Sequence, residues 1–112
     1  MGLYIGVNGC SLKTEENLEV VRSIPGDRIM LETDAPWCDI RPSHAGAGMV
    51  QTNIPCRKRE KFEAGMCVKG RVEPCHIVQV LEVVAGARGE EPGALAAQAL
   101  ENTRRVFFPR DL

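Results

Sequence analysis

The stretch Arg28-Ile29-Met30-Leu31-Glu32-Thr33-Asp34-Ala35-Pro36-Trp37 runs an apolar segment into two carboxylates and then into a proline. That order reads as a buried strand delivering acid to a site. If strand pairing persists to position 34, Glu32 and Asp34, two residues apart, leave the same face. Pro36 lacks a backbone donor and restricts Ala35, so a loop starts just after Asp34. A carboxylate at the C-terminal end of a buried parallel strand is where α/β enzymes place metal-binding and proton-transferring groups. The competing reading is a strand-end Asp that caps a turn.

The elements that must position these acids are legible around them. Leu3-Tyr4-Ile5-Gly6-Val7 reads as a short strand with Leu3, Ile5 and Val7 on one face, ended by Asn8-Gly9. A helix follows: Thr14 can cap it, Glu15 and Glu16 suit its first turn, Leu18, Val21 and Val20 supply its apolar stripe, and Ile24-Pro25-Gly26 stops it. Strand, helix and the strand at 28–33 make a βαβ unit with a right-handed crossover, so Asn8 and Asp34 point to the same rim. Residues 35–72 are irregular, with scattered Pro and Gly and only Arg57 to Ala64 suggesting a short helix. A helix starting at Pro74 carries Ile77, Val80, Leu81 and Val84, and a last helical region from Pro92 carries Leu95, Ala96, Ala99, Leu100, Val106 and Phe107, with a break at Asn102-Thr103. Two strands cannot cover that much helical surface, and a parallel pair normally sits inside a larger sheet.

The 112 residues suit one small domain, and fourteen Lys and Arg against fifteen Asp and Glu give no global basic field. Any phosphate binding must be local. The first residues lack a signal peptide's basic and apolar regions, and no apolar run approaches a membrane span, so an intracellular protein of the nucleus or cytoplasm, without a membrane partner, is expected. Cys10, Cys38, Cys56, Cys67 and Cys75 are odd in number and contain no Cys-x-x-Cys pair, which favours reduced thiols. A zinc site using some of them with His44 or His76 is an open alternative.

Tyr4-Ile5-Gly6, Ile24-Pro25-x-Asp27-Arg28, Glu32-Thr33-Asp34-Ala35-Pro36, Glu73-Pro74 and Asn102-Thr103-x-x-Val106-Phe107 resemble, in order and spacing, the C-terminal end of TatD-type deoxyribonucleases. The resemblance covers nearly all of the chain. It implies an α/β fold in which residues 1–112 are the last two βα units of a (β/α)8 TIM-barrel metallohydrolase and not a complete barrel: a βαβ unit at 3–33, a long rim loop at 35–72 and C-terminal helices at 74–108. A whole barrel needs about 250 residues. It further implies a divalent cation, Mg2+ or Zn2+, and DNA as partner, with no obligate protein partner.

Asp34 is the one family metal ligand that the resemblance carries onto this chain. In a whole barrel the cation would lower the pKa of a bound water, and Asp34 would bind the metal and could take the proton from that water. Glu32 would support the site or stand as a structural group, and Glu73 would anchor the rim or cap the next helix, with Val72 where the family commonly has Asn. Trp37 would stack on a base or close the rim. Arg57, Lys58 and Arg59 would meet DNA phosphates, form a solvated loop, or serve as a nuclear-import signal. Three functions follow as expectations: a metal-dependent nuclease by family, a truncated product that keeps the signature without the activity, or a Cys/His metal-binding module.

Overall fold

The computed structural model describes residues 2–111. Strand β1 (Ile5–Val7) and strand β2 (Ile29–Leu31) pair in parallel with Ile5 opposite Ile29 and Val7 opposite Leu31. The Glu32 N–H donates to the Val7 carbonyl at 2.9 Å and ends the ladder. Between them lies helix α1 (Glu15–Ser23), whose start is fixed reciprocally: the Thr14 hydroxyl accepts from the Asn17 N–H at 3.1 Å, and the Asn17 side chain accepts from the Thr14 N–H at 3.2 Å. Leu18 and Val21 are buried, but Val20 is exposed, because one residue's 100° step turns it off the face that its neighbour presents to the core.

Residues 35–72 hold single turns at Ala47–Met49 and Arg59–Lys61 and a second parallel pair, β3 (Cys56–Arg57) with β4 (Cys67–Val68). The helix expected over 57–64 is only the turn at 59–61. Its charged residues find no apolar face to bury, and a helix that short has no independent stability.

Helix α2 (Ile77–Arg88) follows a turn at Pro74–His76 and ends at Gly89, whose φ of 66° is the left-handed geometry that a glycine cap adopts without penalty. Its buried face is Val80, Val83, Val84, Ala85 and Ala87, while Ile77 is exposed. Helix α3 (Pro92–Phe107) begins after Glu91, whose carboxylate accepts from the Gly93 and Ala94 N–H groups at 2.9 and 2.8 Å. It buries Leu95, Ala99 and Asn102, leaving Leu100, Val106 and Phe107 exposed. The core joins Val7, Leu12, Leu18, Val21, Ile29, Val80, Val83, Val84 and Leu95.

The expected break at Asn102-Thr103 is absent: the helix is continuous, and the Thr103 hydroxyl donates back to the Ala99 carbonyl at 2.8 Å. Asn102 is 2% exposed and donates its amide protons to the carbonyls of Gly26 (2.9 Å) and Ile29 (2.8 Å), while accepting from Gln98 at 2.9 Å. It is a tie between α3 and the start of β2. Helices α1 and α2 cap each other's ends in the same way: Arg22 donates to the Ala87 carbonyl at 2.9 Å, and Arg88 donates to the carbonyls of Val21 and Ile24. These are the last carbonyls of a helix, which have no partner within it.

Helix α2 also fixes the irregular segment. The Glu82 carboxylate accepts from the Gln51 N–H (3.2 Å), the Thr52 N–H (2.9 Å) and the Thr52 hydroxyl (2.8 Å), and Gln79 donates to the Thr52 carbonyl at 3.0 Å. Burial is the largest single influence on Glu82 and opposes ionisation, but the three donated bonds together outweigh it and hold the carboxyl below its ordinary value. Bonds from Gly93 and Ala94 lower Glu91 likewise.

Two predictions follow from these ties. Asn102→Ala leaves two backbone carbonyls without a buried donor and should destabilise the chain by about 2–3 kcal/mol, read as a lower urea midpoint by circular dichroism. Because Glu82 and Glu91 titrate lower in the folded chain than in the unfolded one, their stabilisation is fully present above the ordinary value of 4.5 and is lost as pH falls through the folded values. The urea midpoint should therefore drop between pH 6 and pH 3, and Glu82→Gln should flatten that dependence.

Candidate functional site

Asp34 stands at the C-terminal end of β2 in a turn where the Trp37 N–H donates to the Asp34 carbonyl at 2.9 Å. Its φ is 56°, the left-handed region that Asp tolerates better than most residues. This breaks the strand alternation: the ladder stops at Glu32, so the shared face expected for Glu32 and Asp34 does not arise from strand geometry. The Asp34 carboxylate is exposed and its Oδ2 lies 3.7 Å from Cys38 Sγ.

Glu32 turns back over β1. Its Oε1 accepts from Asn8 Nδ2 at 3.0 Å, and the Asn8 side chain in turn accepts from the Cys10 N–H at 2.9 Å. Glu32 thus orders the loop that follows β1. That loop and the one after Asp34 are joined covalently, since Cys10 and Cys38 form a disulfide with their Cα atoms 5.0 Å apart. The expectation of reduced thiols therefore fails for this pair. A spacing of 28 residues carries no signal for such a bond; the fold supplies it by bringing two strand ends to one rim. Gly9 permits the approach, because a Cβ there would fall 2.0 Å from the Cys38 carbonyl oxygen.

The Glu73 segment reaches the same turn from the other side. The Val72 N–H donates to the Pro36 carbonyl at 3.1 Å, and Val72 is buried. Position 72 thus contacts the rim through its backbone. The Glu73 carboxylate accepts from Arg71 at 2.9 Å, and the Glu73 N–H donates to His76 Nδ1 at 2.9 Å.

Trp37 is 69% exposed and borders a shallow depression with Lys13, Arg41 and His44. A larger cavity of about 780 Å3 opens beside it, lined among others by Thr33, Cys38, Arg41, Lys69, Arg71 and His76. None of Arg57, Lys58 and Arg59 lines it, and Arg57 pairs with Glu63 at 3.3 Å. Of the cations that the fold brings to the cavity, Lys69 and Arg71 are near neighbours but Arg41 is distant in sequence, so no single dense run announced them. Among the described residues, the one group of three His, Cys, Asp or Glu ligands within reach of one another is Cys67, Cys75 and His76, and it includes neither Asp34 nor His44. Partial burial, reinforced by Cys75, Glu73 and Cys56, pushes the Cys67 thiol up.

The profile of the TatD-related DNases matches residues 1–108. The chain is 53% identical over 105 residues to the deoxyribonuclease Tat-D of Schizosaccharomyces pombe, covering 91% of this chain and 33% of that protein. It is 36% identical over 112 residues to the 3'-5' ssDNA/RNA exonuclease TatD of Erwinia tasmaniensis, covering 95% and 34%. Its fold superposes on a TatD-family hydrolase from Entamoeba histolytica with a TM-score of 0.92 at 30% identity, covering 96% of this chain and 36% of that one. The chain spans about a third of the length of the curated relatives it matches. With its parallel βαβ unit, its Glu-Thr-Asp-Ala-Pro turn and these likenesses, the chain belongs to the TatD-related DNase family.

Proposed function

We propose that this chain is the terminal βα portion of a (β/α)8 barrel that hydrolyses DNA phosphodiester bonds at a divalent-metal centre, with Asp34 as its contribution to that centre. The observation that carries the reading is the Asp34 turn itself. An exposed carboxylate sits at the C-terminal end of a parallel strand and is held by the β1 loop through Cys38 and by Val72 through Pro36. A barrel enzyme places its chemistry at that end of its strands. The exposed apolar residues Leu3 and Ile5 fit a pair of strands that belongs within a larger sheet. The printed activities of the relatives, deoxyribonuclease and ssDNA/RNA exonuclease, support the substrate class.

The residues present do not by themselves fit a catalytic metal. Such a centre takes about three protein ligands and an open position, and no such group of ligands forms around Asp34 among the described residues. No catalytic step is therefore assigned to this chain alone, and the isolated chain is read as inactive. Glu32 positions the β1 loop, and Glu73 steadies the far side of the rim.

Nucleic acid is assigned to the cavity beside Thr33, where Lys69 supplies one cation and Arg41 and Arg71, ion-paired with Asp39 and Glu73, would turn to phosphate on binding. Trp37 offers an exposed ring for base stacking. Arg57, Lys58 and Arg59 lie outside the cavity and are assigned a weaker outer contact with the backbone.

The test is to assay the chain alone, and a full-length barrel form carrying it, for divalent-metal-dependent cleavage of DNA, with Asp34→Ala in both. The full-length form should cleave and lose at least about a hundredfold in rate on substitution, while the chain alone should be inactive. Metal-dependent cleavage by the chain alone, or an unchanged rate in the full-length Asp34→Ala variant, overturns the reading. In the full-length form, replacing Arg41, Lys69 or Arg71 by Ala should each lower the salt slope of single-stranded DNA binding by about 0.7, measured by fluorescence anisotropy across a salt series. Arg57→Ala should change it less.

A further inference from the structure

The parallel pair of β3 with β4 is too small to hold itself together. Each strand has two residues, Cys56 and Arg57 are exposed, and Cys67 and Val68 are only half-buried. Two backbone bonds flank the pair, Cys67 N–H to the Pro55 carbonyl at 3.1 Å and Lys69 N–H to the Arg57 carbonyl at 2.8 Å. An isolated two-stranded ribbon of far greater length is marginal in water. Something other than apolar burial must fix it.

The side chains at that place are the ones that bind a soft cation. Cys67 Sγ, Cys75 Sγ and a ring nitrogen of His76 lie within 4.8 Å of one another. Cys67 comes from β4, and Cys75 with His76 comes from the turn that leads into α2. Cys56 stands opposite Cys67 in the strand register, outside that group of three, and would have to swing in to complete it. Tetrahedral zinc, with sulfur at about 2.3 Å and nitrogen at about 2.0–2.1 Å, needs ligand atoms roughly 3.5–3.8 Å apart. Cys75 Sγ and His76 Nδ1 are 3.8 Å apart. Nδ1 also lies 2.9 Å from the Glu73 nitrogen, so ligation through Nδ1 replaces that hydrogen bond by a bond to zinc.

We propose that Cys56, Cys67, Cys75 and His76 form a structural zinc site that ties the β3–β4 ribbon to the start of α2. Thiolate and imidazole ligands select zinc over magnesium, unlike the oxygen ligand at Asp34. Binding replaces three S–H bonds by three Zn–S bonds and releases three protons to solvent, with no change of oxidation state. The site is closed by four protein ligands and so leaves no position for substrate. Its role is to hold the irregular segment, and it stands or falls separately from the nuclease reading.

The test measures metal in the chain purified under reducing conditions and dialysed against a mild chelator. About one zinc per chain is expected by elemental analysis, and cobalt substitution should give the visible bands of a tetrahedral thiolate complex. Cys67→Ser and Cys75→Ser should lose the zinc, Cys56→Ser should bind it more weakly, and Asp34→Ala should keep it. Zinc-free wild-type chain, zinc retained in a Cys67→Ser/Cys75→Ser double variant, or a Cys67–Cys75 disulfide found by mass spectrometry in reduced preparations overturns the proposal. The cobalt spectrum of the unaltered chain decides the matter if the serine variants do not fold.

Discussion

The amide of Asn102 is the constraint on which the placement of the site rests. A parallel ladder of three residues per strand contributes little by itself, so β2 must be located by what grips its ends. Asn102 grips the entry, taking the Gly26 and Ile29 carbonyls from inside α3. An amide is suited to the task because it gives two protons in one plane and still has an oxygen for Gln98. With the entry fixed and the Glu32 N–H bonded to Val7, the direction in which the chain leaves toward Asp34 is largely determined. Arginines perform the corresponding task for the helices. Arg22 gives Nε to the Ala87 carbonyl and Arg88 gives Nη1 to the Val21 and Ile24 carbonyls, while their other donors go to Glu15, Glu19 and Glu90, so α1 and α2 are registered end to end by charge-assisted bonds as well as by the shared core that holds Val21 and Val84.

The rim is a relay of short contacts. Glu32 holds Asn8, Asn8 orders Cys10, Cys10 is bonded to Cys38, and Pro36 receives Val72. Asp34 lies inside this ring and is positioned without making a strong polar contact of its own. A carboxylate arranged in that way keeps its oxygens free for something else.

The sequence carried the βαβ unit clearly, because capping residues, an i, i+3 apolar pair and a proline stop all agree over residues 3–33. It carried Asp34 through its place after an apolar strand. It misled at Asn102, where a residue that usually disfavours helix interiors is instead buried and saturated with hydrogen bonds. It misled at Arg57–Ala64, where helix-forming residue types have no core to cover. The turn at Asp34 is held by Cys10 through Cys38 and by Val72 through Pro36, both distant in sequence, so strand alternation could not foretell it. The disulfide and the Cys67–Cys75–His76 cluster were hidden for the same reason, since both join segments that only the fold makes neighbours.

The grip of Glu82 and Gln79 on Thr52 lies midway along the irregular segment, and the Val72 bond to Pro36 closes its far end. Everything between those two anchors hangs from fixed posts. Lengthening such a span costs only about 0.6 kcal/mol per doubling. The connection between β3 and β4, residues 58–66, is thus a stretch in which insertions and deletions can accumulate while the turn at Asp34 stays where it is.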